Sequence, residues 1–340
     1  MLGKQWSSIL FLIQEISAVV SITINIILIW LVLTKSPKNL GAYRWLMVYI
    51  SVFEIIYSIL DVILAPQHFS DGPTFLVIVG TKNKLFGPET LTLLNAFYWG
   101  FFGASMAVFA VHFVYRWLVV TNNRLLRSFQ DWRICLWFSI PLWYGMTWIC
   151  TGYFLSAPNE STTDSIRDSV KAMFELEFNE YIYLGPHLFD RKGDGKVDFH
   201  LNAFATILVI TITIITSLTI VLIFGYLCYA RINRLVATTS DSLKFKKLQK
   251  QLFYSLVIQT LIPFVLMHIP GGIMTAFVIF DIDLSVYSAV LSMTIAIYPA
   301  VDPIPTLVIV ESYRNTLLRL LGIYSKTNPM GSSLADSSKF

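Results

Sequence analysis

Apolar residues gather into seven long runs, at about residues 9–33, 45–65, 91–116, 133–155, 200–230, 251–279 and 285–310, divided by polar segments of very unequal length. Each run exceeds the ~20 residues a helix needs to cross ~30 Å of hydrocarbon. None shows the strict alternation of a membrane barrel, and an unclosed strand would leave backbone amides without partners in lipid. The pattern predicts an all-α membrane protein, a seven-transmembrane helix bundle. The first run is a retained helix and not a signal peptide: only eight residues precede it, and it is far longer than the 7–15 residues of a signal core.

The gaps set the connectivity. Residues 34–44 and 117–132 make short loops, and Phe280 to Leu284 makes a tight turn, so the helices they join lie antiparallel and adjacent. The loop over residues 156–199 is the exception. Its Ser-, Thr- and Asp-rich first half reads as irregular or partly helical. Its second half reads as a hairpin, Tyr181–Leu184 returning through Gly193-Asp194-Gly195 to Val197-Asp198-Phe199. Asp190, Asp194 and Asp198 do not make a calcium loop, since Lys192 and Leu201 fall where oxygen ligands are needed. After the last span, residues 312–321 set Tyr313, Leu317, Leu318, Leu320 and Leu321 against Arg314, Asn315 and Arg319, as in an amphipathic helix at the membrane interface. Residues 1–322 thus form one membrane domain and 323–340 a Ser-rich, disordered tail.

Composition agrees, at 55% hydrophobic and 14% charged residues with a mean hydropathy of +0.64. The distribution of charge adds orientation. With the N-terminus outside, the inner side holds Lys35, Lys38, Arg44, Arg116, Arg124, Arg127, Arg133, Arg231, Arg234, Lys244, Lys246, Lys247, Lys250, Arg314, Arg319, Lys326 and Lys339, seventeen of the twenty-five cations. The one glycosylation sequon, Asn159-Glu160-Ser161, then lies outside, where Asn159 is a candidate acceptor. Cys135, Cys150 and Cys228 fall in or at the ends of spans, so no disulfide tying the long outer loop is expected.

Polar residues within the spans are costly and few. Glu15, Glu54, Asp61 and Asp302 are the acids, and no lysine is present, which excludes a retinal Schiff base. Glu54 and Asp61 share a helical face with Tyr57. Either they line a polar cavity, or Asp61 faces water while Glu54 keeps a proton and bonds a neighbouring helix; the second reading is favoured. In the third run Asn95, Tyr98, Trp99, Phe102 and Ser105 occupy the outer half, where a cavity could open, whereas His112 and Arg116 lie one turn apart toward the inner end. Pro263 in the sixth run, and Pro299, Pro303 and Pro305 around Asp302 in the seventh, predict kinks. Lys244, Lys246, Lys247 and Lys250 interleave with Leu243, Phe245 and Leu248 at the inner end of the sixth, a surface for anionic lipid or an acidic partner.

Four segments are similar to those of nematode seven-helix chemoreceptors of serpentine receptor class r. They are Lys38-Asn39-Leu40-Gly41-Ala42-Tyr43-Arg44, His112-Phe113-Val114-Tyr115-Arg116, Leu248-Gln249-Lys250-Gln251-Leu252-Phe253 with Gln259-Thr260-Leu261-Ile262-Pro263, and Tyr298-Pro299-Ala300-Val301-Asp302-Pro303. The resemblance runs from the first span to the amphipathic segment. It implies a G-protein-coupled odorant receptor in the plasma membrane of a chemosensory cilium, with a heterotrimeric G protein and membrane lipids as partners, and no cofactor, metal or nucleic acid. The coupling and switch residues it points to are His112, Tyr115, Arg116, Lys246, Lys247, Lys250, Pro263, Pro299 and Asp302. Tyr115 stands where other such receptors carry the acid–arginine lock's neighbour of Arg116, so the resting state needs another restraint.

A small volatile or lipophilic ligand would enter among the outer halves of the third, fifth, sixth and seventh spans. Position alone nominates Asn95, Tyr98, Trp99, Phe102, Ser105, Asn202, Thr206, Met267, His268, Met274, Tyr287 and Ser288. Two alternatives stay open: a seven-helix ligand-gated channel, which would reverse the orientation, and a receptor whose acidic outer loop takes a cationic peptide. Internal repeats of a transporter and the motifs of a membrane enzyme are absent from the sequence.

Overall fold

Lipid leaves a backbone no partner but itself, and seven helices long and apolar enough to span a membrane form the bundle. In this computed structural model residues 4–37, 40–82, 84–191, 196–237, 243–283 and 285–323 are described. The spans are α1 (Lys4–Lys35), α2 (Tyr43–Leu64), α3 (Pro88–Val120), α4 (Ile134–Cys150), α6 (Leu201–Ala237), α7 with α8 (Leu243–Pro263, Ile269–Ile279) and α9 with α10 (Ser285–Val301, Ile304–Ile309). Three are interrupted. The fourth ends in a wide π-type turn at Thr151–Leu155, and the sixth carries another at Phe264–His268, directly after Pro263. The seventh breaks at Asp302-Pro303, where Pro303 and Pro305 cannot donate to the helical ladder.

α3 is the central post, buried along most of its length. It meets α4 through glycines: a Cβ on Gly103 would lie 2.3 Å from the Trp148 ring, and one on Gly145 3.2 Å from the Gly100 carbonyl. Small residues at such crossings let helix backbones approach closely, the main source of packing energy between helices in lipid.

The outer surface holds a part of the fold that hydropathy does not announce. β1 (Gln67–Asp71) and β2 (Thr74–Gly80) form a hairpin whose turn places Gly72 at φ +49°, a conformation that favours glycine. β3 (Tyr181–Leu184) joins the free edge of β2, so the sheet order is β1-β2-β3. β4 (Phe189–Arg191) pairs with β5 (Val197–Phe199). This corrects the hairpin expected between 181–184 and 197–199. Burial decides the partners: the first strand is largely buried and the second exposed throughout, so one packed sheet cannot hold both. The glycines expected to turn that hairpin lie outside the described residues.

The sheet roofs the bundle. The His68 amide donates to Ser292 Oγ of α9 at 2.9 Å, and Asn95 Nδ2 of α3 donates to the Val77 carbonyl at 3.1 Å. Above it, α5 (Glu160–Phe174), the loop's partly helical first half, buries Ile166 and Val170 against Phe69, Leu76, Ile78, Tyr181 and Tyr183. On the inner side α11 (Glu311–Leu320) is the amphipathic helix, with Tyr313 buried and its hydroxyl 2.7 Å from Ser36 Oγ. The three cysteines are free. The tail after residue 323 lies outside the described residues.

Candidate functional site

A cavity of about 330 Å³ lies beneath the roof. Aromatic side chains of α3 and α4 floor it: Trp99, Phe102 and Trp148, with Phe102 5.0 Å edge-on from the His268 ring. Ile210, Thr211 and Ile214 of α6 make one wall, Gly271, Gly272 and Thr275 of α8 another, and His68, Phe75, Val77 and Pro186 the ceiling. The wide turn at Phe264–His268 follows from Pro263, whose missing amide releases one ladder bond, and His268 at its end reaches the cavity. A Cβ on Gly271 would lie 3.4 Å from Phe102 Cζ, whereas one on the exposed Gly272 would meet nothing within 4 Å.

Of the residues nominated by position, Tyr98, Trp99, Phe102 and His268 line this space. Ser105 stands one bond behind it. Its hydroxyl donates to the Phe102 carbonyl at 2.7 Å and lies 3.0 Å from His268 Nε2, so in the neutral imidazole Nε2–H is the donor and Nδ1 the acceptor. Asn95 holds the roof, and Thr206 meets Ser156 at 2.8 Å. Met267 and Met274 are buried in the core with Tyr287 packed on it, and Ser288 is buried. Asn202 borders a separate outer cavity with Asn159. Asn159 is exposed and caps α5, its Oδ1 accepting from the Thr162 amide at 2.8 Å.

The ceiling and the α6 wall were absent from the nomination. Asp71-Gly72 ahead of the β-branched run to Val79 carries a hairpin signal that could have marked the ceiling. Nothing in sequence separates Ile210 and Ile214 from lipid-facing isoleucines.

Three buried polar atoms of lining residues, Tyr98 Oη, Trp99 Nε1 and His268 Nδ1, have no hydrogen-bond partner among the described residues. Each such atom costs about 1–3 kcal/mol until something satisfies it. Above, burial pushes His68 down to about 3, so the ceiling presents a neutral ring, its Nδ1 2.9 Å from Ser292 Oγ.

Polar contacts descend from there. Asp61 does not face water, as one reading expected; it is 5% exposed, closed in with Gln14, Tyr57 and residues of the seventh span. Glu54 and Asp302 meet in the bundle interior beside Asn25, which also donates to the Pro299 carbonyl at 3.3 Å. Gln259 of the sixth span donates to Asp302 at 3.2 Å and accepts from Thr306 at 2.8 Å, and Thr306 touches Ser255 at 2.8 Å. Pro263 and Pro299 therefore flank a polar seam between the two kinked spans.

At the inner end Arg116 is 1% exposed, and none of the described ion pairs includes it. Its Nη2 donates to the Gln249 carbonyl of the sixth span at 3.0 Å, and its guanidinium sits 4.9 Å above the Tyr43 ring. Tyr43 stacks on Tyr115 at 5.5 Å, its amide donating to the Tyr115 hydroxyl, and meets His112 edge-on at 5.6 Å; His112 Nε2 lies 3.1 Å from the Leu46 carbonyl. Lys246 is buried, Lys247 pairs with Glu311 at 2.6 Å, and Lys250 lies over the Tyr254 ring. Arg116 is thus held by a carbonyl of the sixth span and an aromatic face of α2 in place of an acid.

Residues 10–318 match the family model of serpentine type 7TM GPCR chemoreceptors, Str. The chain belongs to this family. It is 34% identical over 310 residues to the Caenorhabditis elegans G-protein coupled receptor str-217, covering 91% of this chain and 89% of that one. Against Serpentine receptor class r-10 of the same species it is 29% identical over 324 residues, covering 94% and 93%. Squid rhodopsin shares the fold alone, with a TM-score of 0.59 at 11% identity over 93% of this chain and 85% of that one. This Str receptor is therefore a multi-pass membrane protein with the rhodopsin-like bundle, a chemoreceptor of the G-protein-coupled class and not an enzyme.

Proposed function

We propose that the receptor binds a small lipophilic molecule in the roofed cavity and signals to a heterotrimeric G protein by moving the inner half of the sixth span. The observation that carries this is the cavity itself, with apolar walls and unsatisfied polar atoms that include Trp99 Nε1 and His268 Nδ1. A matching ligand has an apolar body and a group that can accept from the indole and donate to the imidazole, such as a hydroxyl. Ile215 and Ile279 both line the cavity and are exposed on the bundle surface, which supports entry through lipid between the fifth and sixth spans. That route and the roof favour an odorant over a peptide.

His268 links the cavity to the Pro263 kink, and Gln249, on the same span, holds Arg116. A ligand shifts this span only by binding one position of it better than the other. Released from Gln249, Arg116 becomes free to meet the G protein, with Lys246, Lys247 and Lys250 beside it. The site of action we assign is the plasma membrane of a chemosensory cilium, checked by imaging a tagged receptor in the neuron.

The decisive experiment expresses the receptor with a calcium or cAMP readout and screens volatile, water-soluble and peptide ligands. An active volatile should lose its effect in Gly271→Leu, whose side chain would start 3.4 Å from the Phe102 ring and take up cavity space, while Arg116→Ala should retain binding and lose signalling. A response unchanged in both variants, or a current that persists in patches without G protein or nucleotide, overturns the proposal.

A further inference from the structure

The outer face carries a second constellation, unrelated to the cavity chemistry. His187, Asp190 and His200 bring one ligand atom each to within 4.8 Å of one another. Asp190 lies between the rings, its Oδ1 2.9 Å from His187 Nε2 and its Oδ2 3.0 Å from His200 Nε2. We propose that these three side chains form a binding site for a zinc ion.

The donor set is the first argument. Two imidazoles and one carboxylate suit borderline-soft zinc, whereas calcium and magnesium take oxygen donors. Geometry is the second. Donors around a tetrahedral ion with bonds of ~2.0–2.1 Å lie ~3.4 Å apart, so an ion enters once the 2.9 and 3.0 Å contacts open slightly, the carboxylate turns to present one oxygen and the donors, now within 4.8 Å of one another, close to that spacing.

The surroundings already have the form of an outer shell. Thr74 Oγ1 lies 2.7 Å from His187 Nδ1. A hydroxyl can donate or accept, so it can accept a hydrogen bond from Nδ1–H once Nε2 turns its lone pair to a metal. Ser161 donates to Asp190 Oδ2 and orients the carboxylate. Backbone bonds fix the frame, Leu188 N to the Pro73 carbonyl and His200 N to the Leu188 carbonyl, both 2.9 Å.

Access is open on one side. His187 is buried, but Asp190 and His200 keep about a third of their side chains exposed, and both histidines border the outer cavity of about 420 Å³, which leaves room for a water as fourth ligand. The ion would join the residue after Pro186, part of the ligand-cavity ceiling, to the residue before the fifth span. The three cysteines are free and none lies in this loop, so zinc would take the stapling role a disulfide has elsewhere.

The test uses the whole receptor in detergent, its affinity tag removed, after EDTA treatment and dialysis. Titration with Zn²⁺ should show one tight site per chain and raise the unfolding temperature, reversibly with EDTA. Asp190→Asn with His200→Ala should abolish the site, and Thr74→Val should weaken it about 10–100-fold. Should the variants fail to fold, Co²⁺ on the wild-type protein decides: an intense visible band, displaced by Zn²⁺, marks a four-coordinate site. The absence of that band, no stoichiometric Zn²⁺ binding, or equal binding by the double variant overturns the proposal.

Discussion

The two halves of the bundle solve opposite packing problems. The outer half keeps a cavity of about 330 Å³ under a β-sheet and leaves Trp99 Nε1 and His268 Nδ1 unsatisfied. The inner half is filled: Phe109, Phe113 and Phe253 pack with Val221 and Leu256, and even Arg116 is enclosed, bonded to a carbonyl and stacked on Tyr43. Unmet hydrogen bonds occur in both halves, Arg116 Nε and Gln249 Oε1 among them, so what sets the outer half apart is its space. The inner end is closed by packed rings and by the two contacts on Arg116.

A paired truncation breaks or sharpens that contrast most strongly. Phe109, 0% exposed in the inner core, should cost about 3–5 kcal/mol on replacement by alanine, because a new void forms in a packed region. Phe102→Ala enlarges a space that already exists and should cost less than about half as much. Thermal unfolding of both in detergent checks this. Equal losses would mean that the outer half is packed as tightly as the inner.

Next in size is the restraint on Arg116. Tyr43→Leu removes the aromatic face under the guanidinium, a desolvated contact worth about 2 kcal/mol, or roughly 30-fold in an equilibrium constant. Basal signalling should rise, because Arg116 then loses its hold on α2 and keeps only the Gln249 carbonyl. Basal output at the wild-type level would show that the closed position rests on other contacts.

The seven spans were legible in sequence because hydrocarbon imposes one requirement on every residue of a run. So was the amphipathic end helix, since Tyr313 and Leu317 repeat at helical spacing. The roof was legible only in part: its β1–β2 hairpin carries a local turn signal, but Val77 meets Leu184, more than a hundred residues away, and no pattern within either segment names the other. Among the nominated ligand residues, the α3 aromatics and His268 line the cavity because helical spacing and depth were enough to place them. Asp61 misled for a related reason. Depth put it near water, but the way Gln14 and the seventh span close around it is a tertiary fact.

The polar seam tests the link between the halves. Gln259→Met keeps the length of the side chain but forfeits the bonds to Asp302 and Thr306, 3.2 and 2.8 Å long. Interhelical hydrogen bonds in membranes contribute about 0.6 kcal/mol on average and up to ~1.7. The melting temperature should fall modestly, and basal signalling should change because the bonds join the two kinked spans. A variant identical to wild type in both would confine coupling to the His268 and Arg116 contacts.

The smallest effect belongs to the Lys247–Glu311 pair, 2.6 Å long but exposed on both sides. The hydrogen bond and charge of Lys247 hold the Glu311 carboxyl below the ordinary glutamate range. A carboxyl depressed in this way stabilises the fold above its unfolded pKa and loses that contribution as pH falls through the folded value. At such exposure the pair is worth a few tenths of a kcal/mol, reduced further by salt. Glu311→Gln should therefore leave unfolding at neutral pH nearly unchanged and flatten a slight acid-side decline. A large loss would instead show that this pair clamps the inner end of the sixth span to the amphipathic helix, and that Arg116 is not its main restraint.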